Sequence, residues 1–266
     1  MLDSLPDPAP QIEQQEPSLD VGPSARPPTP QGPWSGNDLA VFGIFFSLTL
    51  LFLPYSVIRF LRIFRPGLRP ADLTAVDQVL LQGFMNLVLV GFIAFLIKVV
   101  HRRSFLETIH WFRNYNFATG FLVALGATLA VSVLIVSSFF PPSVPPPIEK
   151  LLSSTSAIYI FAIFGIGVAP LFEEIIFRGF LFKVFFEIGG AGLAVPFTAA
   201  LFALLHIPQL WGSWAGIALI FLVGYILSLV RERSNSLIPS FILHTSYNAM
   251  LFAVLALSTF IQAGGR

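Results

Sequence analysis

Residues 39–58, LAVFGIFFSLTLLFLPYSVI, run for twenty positions without a charge between Asp38 and Arg59. As a helix rising 1.5 Å per residue, such a stretch covers ~30 Å, the hydrocarbon thickness of a bilayer. The pattern recurs along the chain. Gln78–Ile97 lies between Asp77 and Lys98. Phe117–Phe140 ends at a segment, 141–147, that holds five prolines. Leu151–Phe172 is the fourth run. From Glu187 to Arg231 lie 43 residues with no charge other than His206. That length is too great for one crossing and fits two, broken near Ile207–Leu210. Ser236–Ile261 is the last run. The runs are continuous rather than alternating, so they read as helices and not as barrel strands. The expected fold is an all-α polytopic membrane helix bundle with seven transmembrane helices. The number rises to eight if the helical pattern over 151–187, ~55 Å long as one helix, divides at Pro170.

Composition agrees. The chain is 55% hydrophobic and 11% charged, with 29 phenylalanines and a mean hydropathy of +0.80, whereas soluble domains carry about 25% charged residues. A net charge of +1 gives no basis for binding nucleic acid. The absence of cysteine excludes disulfides, thiolate catalysis and cysteine zinc sites. Four segments follow. Residues 1–37, with nine prolines and five acidic residues, are expected to be a disordered tail. Residues 38–140 hold three N-terminal membrane helices, 141–150 a Pro-rich linker, and 151–262 the helices that carry chemistry. The start of the chain is polar, so the first span acts as its own insertion signal. Arg59, Arg62, Arg65 and Arg69 follow that span, in a loop or an interfacial helix. Lys98, Arg102, Arg103 and Arg113 follow the second, on the side shared by Arg231 and Arg233, which slightly favours a cytoplasmic N-terminus. Gly212 and Gly216 form a GxxxG pair that would permit close helix contact.

Ionisable groups inside apolar runs are costly, and they face cavities or one another. Glu173 and Glu174 are such groups, followed by Arg178. Glu174 and Arg178 stand at i and i+4 with the acid first, the favourable order for an ion pair on one helix face. Glu173 is rotated by ~100° and lacks that partner. Desolvation in a cavity would suit it to general-base work, although helix-stabilising pairing of both acids with Arg178 fits the same pattern. His206 shares a face with Phe202, and on its own it reads more simply as a packed histidine. His244 and Asn248 are again i and i+4. They would donate two hydrogen bonds to one oxygen, as in an oxyanion hole, or form an ordinary contact between helices.

Glu-Glu-x-x-x-Arg at 173–178, Phe-x-x-x-His at 202–206 and His-x-x-x-Asn at 244–248, in this order, resemble the signature of the CAAX prenyl endopeptidase and bacteriocin-processing family of intramembrane proteases. The run Arg178-Gly179-Phe180-Leu181 resembles it too. The likeness covers roughly residues 160–255. It implies that Glu173 and His206 activate a water for attack on a peptide carbonyl. By the same likeness, His244 and Asn248 stabilise the oxyanion, and Glu174 and Arg178 hold the first glutamate. No cofactor is expected. If the enzyme were zinc-dependent, Glu173, His206 and His244 would be the ligands. The lack of a His-Glu-x-x-His motif favours the metal-free form. Expected partners are membrane lipid and a peptide or protein substrate, and the expected location is the cell membrane. A transporter or scaffold with a buried polar network is the alternative, but no motif occurs in a second copy, as repeated transporter halves would suggest.

Overall fold

The computed structural model describes residues 33–142, 144–145 and 155–264. The tail before residue 33 and most of the 141–150 linker lie outside the described residues. Among those described there is no strand. Helix α1, Gly36–Leu61, begins two residues before the charge at Asp38. Ser35 and Asp38 cap it reciprocally: the Asp38 carboxylate accepts from the Ser35 N–H at 2.9 Å. The Arg-rich stretch after it consists of turns and a three-residue 3₁₀ element, Pro70–Asp72, rather than an interfacial helix. Helix α2, Ala75–Phe95, has its own capping box from Thr74 and Asp77 and ends in a π turn, Leu96–Val100. A single turn, α3 (Phe105–Thr108), precedes α4, Thr119–Ser138.

Next comes a helical run that changes register twice. Helix α5 (Thr155–Ile163) passes through a π turn, Phe164–Val168, into α6 (Ala169–Glu174). A second π segment, Ile175–Leu181, leads into α7 (Phe182–His206). The apolar part, Ile158–His206, is 49 residues long, or ~73 Å if straight, more than two bilayer cores. It is broken at Gly189 and Gly190. Gly190 has φ 68° and ψ −168°, a region essentially open to glycine alone. The run therefore has two legs, which brings the spans among the described residues to seven, within the expected seven or eight. Among the described residues six helical stretches meet the length and hydropathy of a membrane span, this broken one among them. The chain is an integral membrane protein, and Leu51, Phe52 and Phe139 are among the large apolar side chains on its outside. Helix α7 ends at His206, turns follow, and α8 (Trp214–Ser234) begins, so the chain breaks where the sequence placed a break. Helix α9 is Leu237–Gly264.

Two glycines set the packing around the site. A Cβ on Gly126 of α4 would lie 2.5 Å from the Leu243 carbonyl oxygen and 2.9 Å from Ser246 Cβ, so the α4 backbone there lies directly against the backbone of α9. A Cβ on Gly224 of α8 would stand 3.1 Å from Phe202 Cδ1 and 3.3 Å from Ala199 Cα of α7. The Gly212/Gly216 pair plays no such part. Gly212 sits in a turn at φ 89°, where a Cβ would meet Val144 Cγ2 of the segment after α4 at 2.5 Å rather than a facing helix, and a Cβ on Gly216 would meet Ser213 at its own helix start. The α8–α9 corner is tied to the segment after α3. Leu237 N–H donates to the His110 carbonyl at 2.9 Å, and Ser236 Oγ donates to the Phe112 carbonyl at 2.6 Å. These bonds put Arg231 and Arg233 on the same side of the bundle as Arg102, Arg103 and Arg113.

Candidate active site

Glu174 and Arg178 pair as their spacing implies, with Nη1 donating to Oε1 at 3.1 Å. Both side chains are fully buried. Arg178 does more than neutralise the acid. Its Nη2 donates to the Gly224 carbonyl at 2.9 Å, and its guanidinium lies 4.6 Å from the centre of the Phe202 ring. One side chain thereby links the second π segment, α7 and α8. The Gly224 carbonyl is reachable because no side chain separates α7 from α8 at that point.

The same Glu174 oxygen is approached by His244 Nδ1 at 3.0 Å. A carboxylate paired with arginine only accepts hydrogen bonds. It therefore calls for the proton on Nδ1, which fixes the ring's tautomer and leaves Nε2 facing away. Nε2 lies 3.7 Å from Glu173 Oε2, beyond a direct hydrogen bond. His244 thus stands between the two neighbouring glutamates, one fully buried and the other with a quarter of its side chain exposed. The helical offset that separates Glu173 from Glu174 places one on each side of the imidazole.

His206 closes α7 and turns Nδ1 to the Phe202 carbonyl at 2.7 Å. Its Nδ1–H is spent locally, so Nε2 carries the lone pair in the neutral ring. Phe202 lies beside both imidazoles: its ring centre is 4.5 Å from that of His206 and 5.8 Å from that of His244. No hydrogen bond or ion pair joins His206 to Glu173. Asn248 also departs from the sequence expectation. It does not meet His244 at one shared point. Its Nδ2 donates to the Gly165 carbonyl at 2.6 Å. The first π turn explains why that carbonyl is available. Ala169 N–H bonds to Phe164 in the i→i+5 register. The next donor in that register would be residue 170, which is proline and has no N–H. Asn248 supplies the missing donor and keeps its second amide hydrogen.

Sequence reasoning missed Arg231, reading it as a loop charge. It is 1% exposed, and its Nε donates to the Arg178 carbonyl at 3.2 Å. Its spacing from buried Gly224, Leu227 and Ser228 on α8 was the available signal. Among the described residues no three His, Asp or Glu side chains gather into a metal-binding group. Glu173, His206 and His244, the set a zinc ion would need, are not gathered into such a group in this arrangement.

A comparison with protein families matches residues 155–250 to the Rce1-like family, type II CAAX prenyl endopeptidases. The match takes in all three motifs and both π segments. No curated protein and no solved structure matches the chain.

Proposed function

From the Rce1-like segment over residues 155–250 as premise, we propose that the chain is an intramembrane endopeptidase in which Glu173 activates the attacking water. The substrate bond in this reading joins the prenylated cysteine of a C-terminal CAAX sequence to the three residues that follow it. The observation that carries the reading is His244 held between the glutamates, 3.0 Å from Glu174 and 3.7 Å from Glu173. Glu174, kept anionic by Arg178, orients the imidazole as a carboxylate orients the histidine of a hydrolytic triad. Glu173, the more exposed acid, takes a proton from water beside His244 Nε2. The hydroxide attacks the scissile carbonyl, and a tetrahedral oxyanion forms. The spare Asn248 amide hydrogen and, when protonated, His244 Nε2–H would donate to that oxygen. Glu173 then returns the proton to the leaving amide nitrogen as the C–N bond breaks. His206, with Nε2 free, would hold the water from the other side.

The test uses the full chain, purified and placed in liposomes with a fluorogenic prenylated peptide. Glu173→Gln should insert and purify normally yet lose cleavage, by about 10²–10⁴-fold for a general base. Retained cleavage in that variant would overturn the assignment of the base. Activity should also survive exhaustive chelation; loss on chelation with rescue by zinc would replace this mechanism with a metal-dependent one.

A further inference from the structure

On the face of the bundle that carries the α8–α9 corner lies a cavity of about 280 Å³, lined by Phe182, Lys183, Phe186, Arg231, Glu232 and Asn235. Its chemistry is unlike that of the active site. Two cations stand against one carboxylate. Neither cation forms an ion pair among the described residues; Lys183 Nζ lies 5.6 Å from the Phe186 ring centre and the Arg231 guanidinium 5.4 Å from that of Phe182. Arg231 is almost fully buried, and its Nη2 has no hydrogen-bond partner. A buried guanidinium nitrogen without an acceptor keeps its desolvation penalty, and an acceptor from outside the chain would relieve it. Lys183 is one turn from Glu187, whose Oε2 accepts from the Trp34 backbone N–H at 2.8 Å and whose buried Oε1 has no hydrogen-bond partner, so Glu187 acts on Lys183 by charge without bonding to it. Burial and the charges of Arg231 and Lys183 push the His110 imidazole down to about 4, so nearby His110 stays neutral and adds no cation.

We infer that this cavity binds a phosphate group, with Arg231 and Lys183 as its ligands. The two rings and the position at the ends of α8 and the first leg of α7 suit a phosphate that arrives on an anionic phospholipid headgroup, its glycerol against Phe182 and Phe186. The cavity is too small for a whole lipid and matches a headgroup. Guanidinium and ammonium together are the usual phosphate-binding pair. Because Arg231 Nε also holds the Arg178 carbonyl, an occupied site would steady the helix that carries Glu173 and Glu174.

The test reads retained lipid by native mass spectrometry on the full chain purified in mild detergent, after exchange into nanodiscs of phosphatidylcholine with or without phosphatidylglycerol. One phosphatidylglycerol per chain should be retained. Lys183→Glu should lower retention at least tenfold. Arg102→Glu, on the same side but outside the cavity, should leave it unchanged. Arg231→Gln removes the buried ligand but also a backbone contact, so Lys183→Glu decides the matter. Competition by inorganic phosphate at millimolar concentration would show that the free ion satisfies the same site. Equal losses in Lys183→Glu and Arg102→Glu, or no phosphate-bearing molecule retained in any arm, would overturn the inference.

Discussion

Arg178 is the side chain whose loss should be felt most widely. Replacing it by glutamine leaves Glu174 fully buried with His244 and the Ser240 hydroxyl beside it but no cation fixed in place. Removing one partner of a buried pair costs ~3–5 kcal/mol, because the stranded charge keeps its desolvation penalty. The Gly224 carbonyl loses a donor as well, but Ser228 Oγ still reaches it at 2.8 Å, so that loss adds at most ~1 kcal/mol. Glu174→Gln should cost a similar ~3–5 kcal/mol by leaving a guanidinium without its counter-charge. The double variant places two neutral amides where the ions were, and they can bond to each other. Its cost should fall short of the sum of the single costs by ~2–3 kcal/mol, a coupling typical of groups in one network. Denaturant titration of the three variants in detergent, read through the four tryptophans, measures this cycle. Additive costs, or either single cost below about 1 kcal/mol, would refute the idea that the pair is buried and mutually dependent.

Other perturbations follow from the same contacts. Gly126→Ala should force α4 and α9 apart and lower stability by ~1–3 kcal/mol. It should reduce cleavage as well, since α9 carries His244 and Asn248; a wild-type melting temperature would contradict the close approach. Asn248→Leu should destabilise by ~1–3 kcal/mol by stranding the Gly165 carbonyl. Adding Pro170→Ala should recover part of that stability without recovering activity, as thermal unfolding and a cleavage assay would report. His110 is pushed down to about 4, below its ordinary 6.5. The unfolded chain therefore takes up a proton there before the folded one does. Stability should fall as pH drops from about 6.5 toward 4, and His110→Gln should flatten that slope in a pH series of melting curves.

What could be read from the chain alone was what depends on neighbours in sequence. The crossing lengths, the break after His206 and the Glu174–Arg178 pair all follow from residue spacing and charge. The motif resemblance covered the segment that the family comparison matched. What escaped depends on partners far along the chain. The tilt of His244 between two glutamates needs α9 placed against α6. Arg231 looked like a loop charge because its burial comes from α7 and the second π segment. The GxxxG pair misled because a spacing of four says nothing of what stands opposite, whereas Gly126 and Gly224 each face the backbone of another helix. The glycines at 189 and 190 could have been read as the break in the long run, had a positive φ been considered there.

The carbonyl at Gly165 has a consequence for how this bundle assembles. A helix that satisfies all of its own acceptors can slide past a neighbour with little penalty. This one cannot, because proline leaves it an acceptor that only a side chain from α9 fills. A slip of α9 by one residue would leave an amide and a carbonyl both dry in hydrocarbon, where each unmet group costs several kcal/mol. The irregular turn thus acts as a key, setting the vertical alignment of two helices that would otherwise meet through greasy and interchangeable surfaces.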